Sequence, residues 1–169
     1  MIPGGVALYP SDTVYGLMCR ADDPEAVDRI RRMKGGASDR PFILIVSGLS
    51  MAGSIADCTD PEVMGIMSLR WPGKLTLVLP ALDPCPIWVR DGDGSVALRQ
   101  PDHDLSRLVI EECRIPLVST SANPSGQSPC LEYDRIDDLL KTSVDLAVDA
   151  GKLPPSAPST IIKLIRAGT

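Results

Sequence analysis

The stretch PLVSTSANPSGQS, residues 116–128, can be read as a linker or as part of a sheet. Its Ser, Asn and Gly content resembles a flexible connector. Its beginning does not, because Pro116 to Thr120 has the apolar and β-branched character of a strand running straight into polar residues. Ser119, Thr120, Ser121 and Asn123 then project from a strand end, a usual place for ligand groups in open sheets.

Comparable runs recur on both sides of that strand: GVALYP (5–10), FILIVSG (42–48), KLTLVLPA (74–81), SVALRQP (95–101), VDLAVDA (144–150) and STIIKLI (159–165). Each is short and bounded by Gly, Pro, Asp or Ser. Helical periodicity lies between several of them. Pro24 to Met33 places Ala26, Val27, Ile30 and Met33 on one face, with Pro24 suited to the first turn. Pro61 to Leu69 repeats the pattern, as does Asp104 to Cys113 with Leu105, Leu108, Val109 and Ile110 inward; Asp134 to Lys141 is a shorter helix. Strands and helices do not alternate strictly. The fold class is therefore α/β (α+β), with one domain over residues 1–169 and a twisted, mixed parallel/antiparallel sheet flanked by helices. The proline-rich ALDPCPIWV and GKLPPSAPS read as stiff surface connectors.

Composition narrows the function classes. A chain of 169 residues, 44% hydrophobic and 23% charged, can bury a substantial core. Aromatics make up only 4%, so the core is aliphatic and stacking platforms for single-stranded nucleic acid are not expected. A net charge of −5 argues against strong sequence-independent binding to polyanions. No run approaches the roughly 20 apolar residues of a membrane span, and the amino terminus lacks a secretory pattern. Five scattered cysteines without a Cys-x-x-Cys, and a single histidine, predict reduced thiols, no structural metal and a cytoplasmic location. WPGKLT lacks the glycine and hydroxyl of a P-loop, and no G-x-S-x-G elbow supports Ser121 and His103 as a hydrolase pair. DGDGS (91–95) reads as a hairpin turn rather than a calcium loop.

Three further segments carry candidate chemistry. YPSDTVYGL (9–17) is either a strand end with Asp12 or Thr13 capping a helical turn, or a hydroxyl-rich rim with Thr13 and Tyr15 as donors to a small polar ligand. RRMKGGASDRP (31–41) places Gly35 and Gly36 at a helix stop that needs positive φ. It is either a solvated basic helix end or a phosphate cradle around Lys34. In VALRQPDH (96–103), Arg99 closes a strand and His103 precedes a helix. That arrangement suits phosphate or carboxylate recognition, although an ordinary surface arginine and a helix-capping histidine fit equally.

Together and in order, these segments resemble the YrdC-like family, the threonylcarbamoyl-AMP synthases. YPSDTVYGL is similar to Y-P-T-[DE]-T-V-Y-G-L, WPGKLTLVL to W-P-G-P-[LY]-T-[LF]-[VI]-L, and VALRQPDH to V-[AG]-[VL]-R-x-P-x-H. VSTSANPSG and APSTII resemble the family's S-T-S-A-N-x-S-G and P-S-T-[IV]-[VI] signatures. The resemblance covers almost the whole chain. It implies formation of threonylcarbamoyl-AMP and pyrophosphate from L-threonine, bicarbonate and ATP, with Mg2+ on the triphosphate. The product would serve a separate tRNA threonylcarbamoyl transferase that modifies an adenosine beside the anticodon. By position, Thr13, Tyr15, His103, Ser121 and Ser159 stand for threonine contacts, and Ser119, Arg99 and Asn123 for nucleotide contacts. Lys34 is the lysine of the family's K-x-R motif, and Lys34 and Arg99 would balance phosphate and carbamate charge.

The chain also departs from that pattern. Gly36 stands where K-x-R has arginine, so Arg40 is the candidate substitute at the phosphates. Ser11 replaces threonine. Relative to the family the chain begins at its first strand, and its carboxyl end is short, leaving Arg166 to stand for a late nucleotide-contacting arginine. Two other readings are a carbamoyl-adenylate-forming domain and a non-catalytic relative that contacts tRNA or double-stranded RNA. Acidic charge and few aromatics weigh against RNA binding.

Overall fold

The computed structural model describes residues 2–36 and 42–164. Its strands are β1 (Ala7–Pro10), β2 (Tyr15–Arg20), β3 (Ile43–Ile45), β4 (Leu75–Pro80), β5 (Ser95–Arg99), β6 (Leu117–Ser121), β7 (Leu146–Ala147) and β8 (Thr160–Lys163). The helices are α1 (Pro24–Met33), α2 (Leu49–Gly53), α3 (Pro61–Arg70), α4 (Asp104–Cys113) and α5 (Asp138–Ser143). All eight strands join in one sheet, ordered β7-β1-β2-β6-β3-β5-β4-β8. The pairs β1/β7, β3/β5 and β4/β8 are parallel and the others antiparallel, so the sheet is mixed as the sequence predicts.

The segment 9–17 corrects the helical-turn expectation. β1 and β2 form an antiparallel hairpin with Pro10 opposite Tyr15. Ser11 builds its turn: Oγ accepts from the Thr13 and Val14 amides, each at 3.2 Å, and donates to the Val14 carbonyl at 2.7 Å. The local hydroxyl thus satisfies the backbone that a helix cap would have served. The glycine closing the segment allows a close approach. A Cβ at Gly16 would sit 3.0 Å from the Tyr9 ring and 3.1 Å from the Thr120 carbonyl.

Two further expectations change. Residues 134–141 are not one helix but a 3-10 turn (Tyr133–Arg135) followed by α5, which starts where the Asp137 carboxylate accepts from the Leu139 amide at 2.8 Å. On α4, Leu108 is 56% exposed and Ser106 is buried in its place. Apolar count misleads there because Ser106 can be buried once its hydroxyl has a partner, here His103 Nδ1 at 2.9 Å.

The sheet's two faces receive different covers. Leu8, Leu17, Leu44, Leu98 and Val118 point to the larger core with Ala26, Val27 and Ile30 of α1 and Val63 and Met67 of α3. On the other face Ala7, Met18, Ile45 and Leu117 pack with Ile110 of α4. Side chains alternate between faces, and directly paired residues share one. The pairings Tyr9↔Gly16↔Ser121, Ser119↔Ile43↔Ala97 and Ile45↔Arg99 therefore put these residues on the α4 side. One helix covers only part of that face, and the uncovered part becomes a cavity floor.

Helix α1 brings a cation to the rim of this floor. It starts at Asp23, whose carboxylate accepts from the Ala26 amide at 3.0 Å and the Gly4 amide at 2.6 Å. It stops in a Schellman arrangement, with Gly36 N–H donating to Arg31 O at 2.9 Å and Gly35 N–H to Arg32 O at 3.0 Å. Both glycines have the positive φ the sequence predicts, 96° and 78°.

Candidate active site

The uncovered floor opens into a cavity of about 950 Å3. Its lining includes Thr13, Lys34, Arg99, Ser119, Ser121, Asn123 and Ser159, which lie far apart in the chain and meet here. β6 supplies the two serines and the loop after it supplies Asn123. The hairpin turn supplies Thr13, and the end of β5 supplies Arg99.

The cations are held in place differently. Lys34 Nζ donates to the Ser121 and Asn123 carbonyls, each at 2.8 Å, and burial pulls its ammonium down to about 8. Arg99 is 7% exposed; its Nε donates to the Gly73 carbonyl at 2.9 Å and its Nη2 is ion-paired with Asp12. Arg31 also lines the cavity, with its guanidinium 5.5 Å from the Phe42 ring centroid and Nη1 bonded to Asp28 at 3.1 Å. The result is a lining that carries cations and hydroxyls side by side. Such a lining can neutralise an anion while hydroxyls orient a small polar ligand.

The hydroxyls are already networked. Thr13 Oγ1 and Ser11 Oγ are 3.0 Å apart, Ser159 Oγ lies 3.0 Å from the buried Thr76 Oγ1, and Tyr9 Oη lies 2.8 Å from Ser119 Oγ. Burial pushes the Tyr9 phenol up, against the bond to Ser119, so Tyr9 stays a neutral hydroxyl. Asn123 Nδ2 closes its own loop through the Pro124 and Gln127 carbonyls at 2.9 and 2.7 Å.

Two candidates lie elsewhere. Tyr15 opens β2 on the opposite face, where it is fully buried. Its hydroxyl donates to the Gly151 carbonyl at 3.0 Å and accepts from the Ala150 amide at 2.9 Å, so it ties the late loop to the core and does not reach the cavity. His103 is the N-cap of α4 and lines a separate cavity of about 90 Å3, because Nδ1 is turned back onto Ser106. Arg40 and Arg166 fall outside the described residues. A Cβ at position 36 would meet no atom of the described residues within 4 Å, but an arginine there would have to adopt φ 78°, which costs a non-glycine residue about 1–2 kcal/mol.

Several lining residues escape the sequence reading. Tyr9 and Asp12 stand inside YPSDTVYGL but look like a strand end and a cap. Behind the lining, Thr76, 0% exposed and bonded to Ser159, carries a visible signal as the one polar residue within the apolar run LTLVL. Arg31 looks like any other residue of a basic helix end. Among the described residues no group of three or more His, Cys, Asp or Glu is placed to hold a metal ion, and no helix is long and apolar enough to cross a membrane.

Known proteins place this architecture. The chain is 31% identical over 166 residues to the threonylcarbamoyl-AMP synthase of Marinobacter nauticus, covering 98% of this chain and 87% of that relative. Its fold is similar to P. abyssi Sua5 complexed with L-threonine, with TM-score 0.88 and 31% identity; the match covers 95% of this chain and 47% of the longer archaeal one. E. coli YciO superposes with TM-score 0.85 at 28% identity, covering 95% and 78% of the two chains. A family model, Sua5_yciO_yrdC, described as telomere recombination, matches residues 2–169. This chain belongs to the Sua5/YciO/YrdC family.

Proposed function

We propose that this chain forms threonylcarbamoyl-AMP and pyrophosphate from L-threonine, bicarbonate and ATP, with Mg2+ arriving on the triphosphate. The observation that carries the reading is the convergence of Thr13, Ser121 and Ser159 with Lys34 and Arg99 in one cavity. The ammonium of threonine releases a proton, and the free amine adds to the carbon of bicarbonate with loss of water to give a carbamate. A carbamate oxygen then attacks the α-phosphorus; the new P–O bond forms as the bond to the β-phosphate breaks, and pyrophosphate leaves.

No covalent nucleophile is needed. Alignment and charge neutralisation carry such a displacement, and a recessed site slows hydrolysis of the adenylate. Lys34 and Arg99 supply positive charge, while Thr13, Ser121 and Ser159 hold the amino acid. The adenylate would pass to a tRNA-modifying acyl transferase, since a mixed anhydride of this kind is an activated donor.

The test is product formation with ATP, magnesium, threonine and bicarbonate, following the adenylate by mass and pyrophosphate by a coupled assay. Threonine-dependent adenylate is the expected result. Product only after Gly36→Arg would mark a relative disabled at its nucleotide site. No product from either folded protein would overturn the reading.

A further inference from the structure

Asp12, in the β1–β2 turn, is the only acidic residue among the described residues that line the large cavity. Its side chain is 10% exposed and that of its ion-pair partner Arg99 is 8% exposed. The pair runs through Asp12 Oδ2 and Arg99 Nη2, while Asp12 Oδ1 is buried without a hydrogen-bond partner. A buried carboxylate with an idle acceptor is costly, and a buried ion pair is weak evidence of stability. A carboxylate is also the wrong group for a wall that meets only phosphates, because it repels them.

Resting on the synthase reading and deepening it, we infer that Asp12 accepts an N–H of the substrate's amine and selects an α-amino acid over hydroxy acids of the same shape. An amino acid is a zwitterion, and the Asp12–Arg99 pair is its electrostatic complement. The ammonium meets the carboxylate, and anionic oxygens meet the remaining guanidinium N–H groups. The terminal torsion of aspartate is broad, so rotation about Cβ–Cγ is the movement by which the idle Oδ1 would reach the cavity. The contact outlasts the first chemical step. The nitrogen keeps one N–H after carbamate formation, and Arg99 offsets the new negative charge beside Asp12.

Calorimetric titration of the full chain separates this inference from the reading beneath it. The ligands are L-threonine, its deaminated analogue 3-hydroxybutanoate, and MgATP, with the unaltered chain and Asp12→Asn. The expected result is threonine bound at least about tenfold more tightly than the deaminated acid, as loss of a charge-assisted hydrogen bond implies. Asp12→Asn should lose most of that preference and bind MgATP no more weakly than the unaltered chain. Equal affinity of the unaltered chain for both acids would overturn the inference without any variant. So would a folded Asp12→Asn that retains the preference, and either result leaves the synthase reading standing. Absence of both threonine and MgATP binding to the unaltered chain would remove the two together.

Discussion

Lys34 and Tyr15 show how one side chain's surroundings set its task. Burial holds the Lys34 ammonium down to about 8, against 10.5 for an ordinary lysine. The unfolded chain binds more protons between those values, so this group adds stability as pH rises through that window, while its attraction for anions fades above about 8. We expect MgATP affinity to fall between pH 7 and pH 9 with a midpoint near that value. In Lys34→Arg the same titration should be flat, because guanidinium stays charged. Tyr15→Phe removes the hydroxyl that donates to the Gly151 carbonyl and accepts from the Ala150 amide, on two exposed residues. It should lower stability by about 0.5–1.5 kcal/mol in a urea melt and leave threonine binding unchanged. A change in threonine affinity with stability intact would return Tyr15 to the site.

Among the elements, α1 carries the clearest consequence. Asp23 caps it and anchors the Gly4 amide, so one carboxylate joins the helix start to the amino-terminal segment. Those backbone bonds hold its carboxyl below the usual range. Its contribution is therefore present above the ordinary carboxylate pKa and lost as acid carries pH down through the lowered value. Asp23→Ala should cost about 1–2 kcal/mol near neutral pH by thermal or urea unfolding, with the difference from the unaltered chain shrinking towards pH 3. Both ends of α1 were legible: Pro24 marks its first turn and Gly35-Gly36 its stop. The β1–β2 hairpin was harder, because the turn depends on the Ser11 hydroxyl rather than on the usual Asn-Gly or Asp-Gly pair.

Over the whole molecule, β3 is short yet central. It pairs with β5 on one side and β6 on the other, and these three strands contribute Ile43, Ile45, Arg99, Ser119 and Ser121 to the cavity. Leu44, fully buried, points from β3 into the larger core. Leu44→Ala should cost about 2–5 kcal/mol and lower binding of threonine and MgATP together, measured by denaturant melts and calorimetry on the same samples. Normal affinity for one ligand beside loss of the other would show the two halves of the cavity to be independent.

Local pattern was enough for the seven strands that open or close on turn residues, for α1, α3 and α4, and for a mixed sheet. These follow from periodicity and capping, which act over a few neighbours. Most of the candidate polar residues were also visible, because hydroxyls and cations at strand ends stand out against apolar runs. Which of them share a site was not visible. Tyr15 and Gly16 are adjacent, yet strand alternation sends one into the core and leaves the other beneath the cavity. Asp12 meets Arg99 only because the β1–β2 hairpin and the end of β5 converge at one end of the sheet. That convergence depends on inter-strand registry and on how far α4 extends over its face. Both are long-range packing outcomes that no local run of residues encodes.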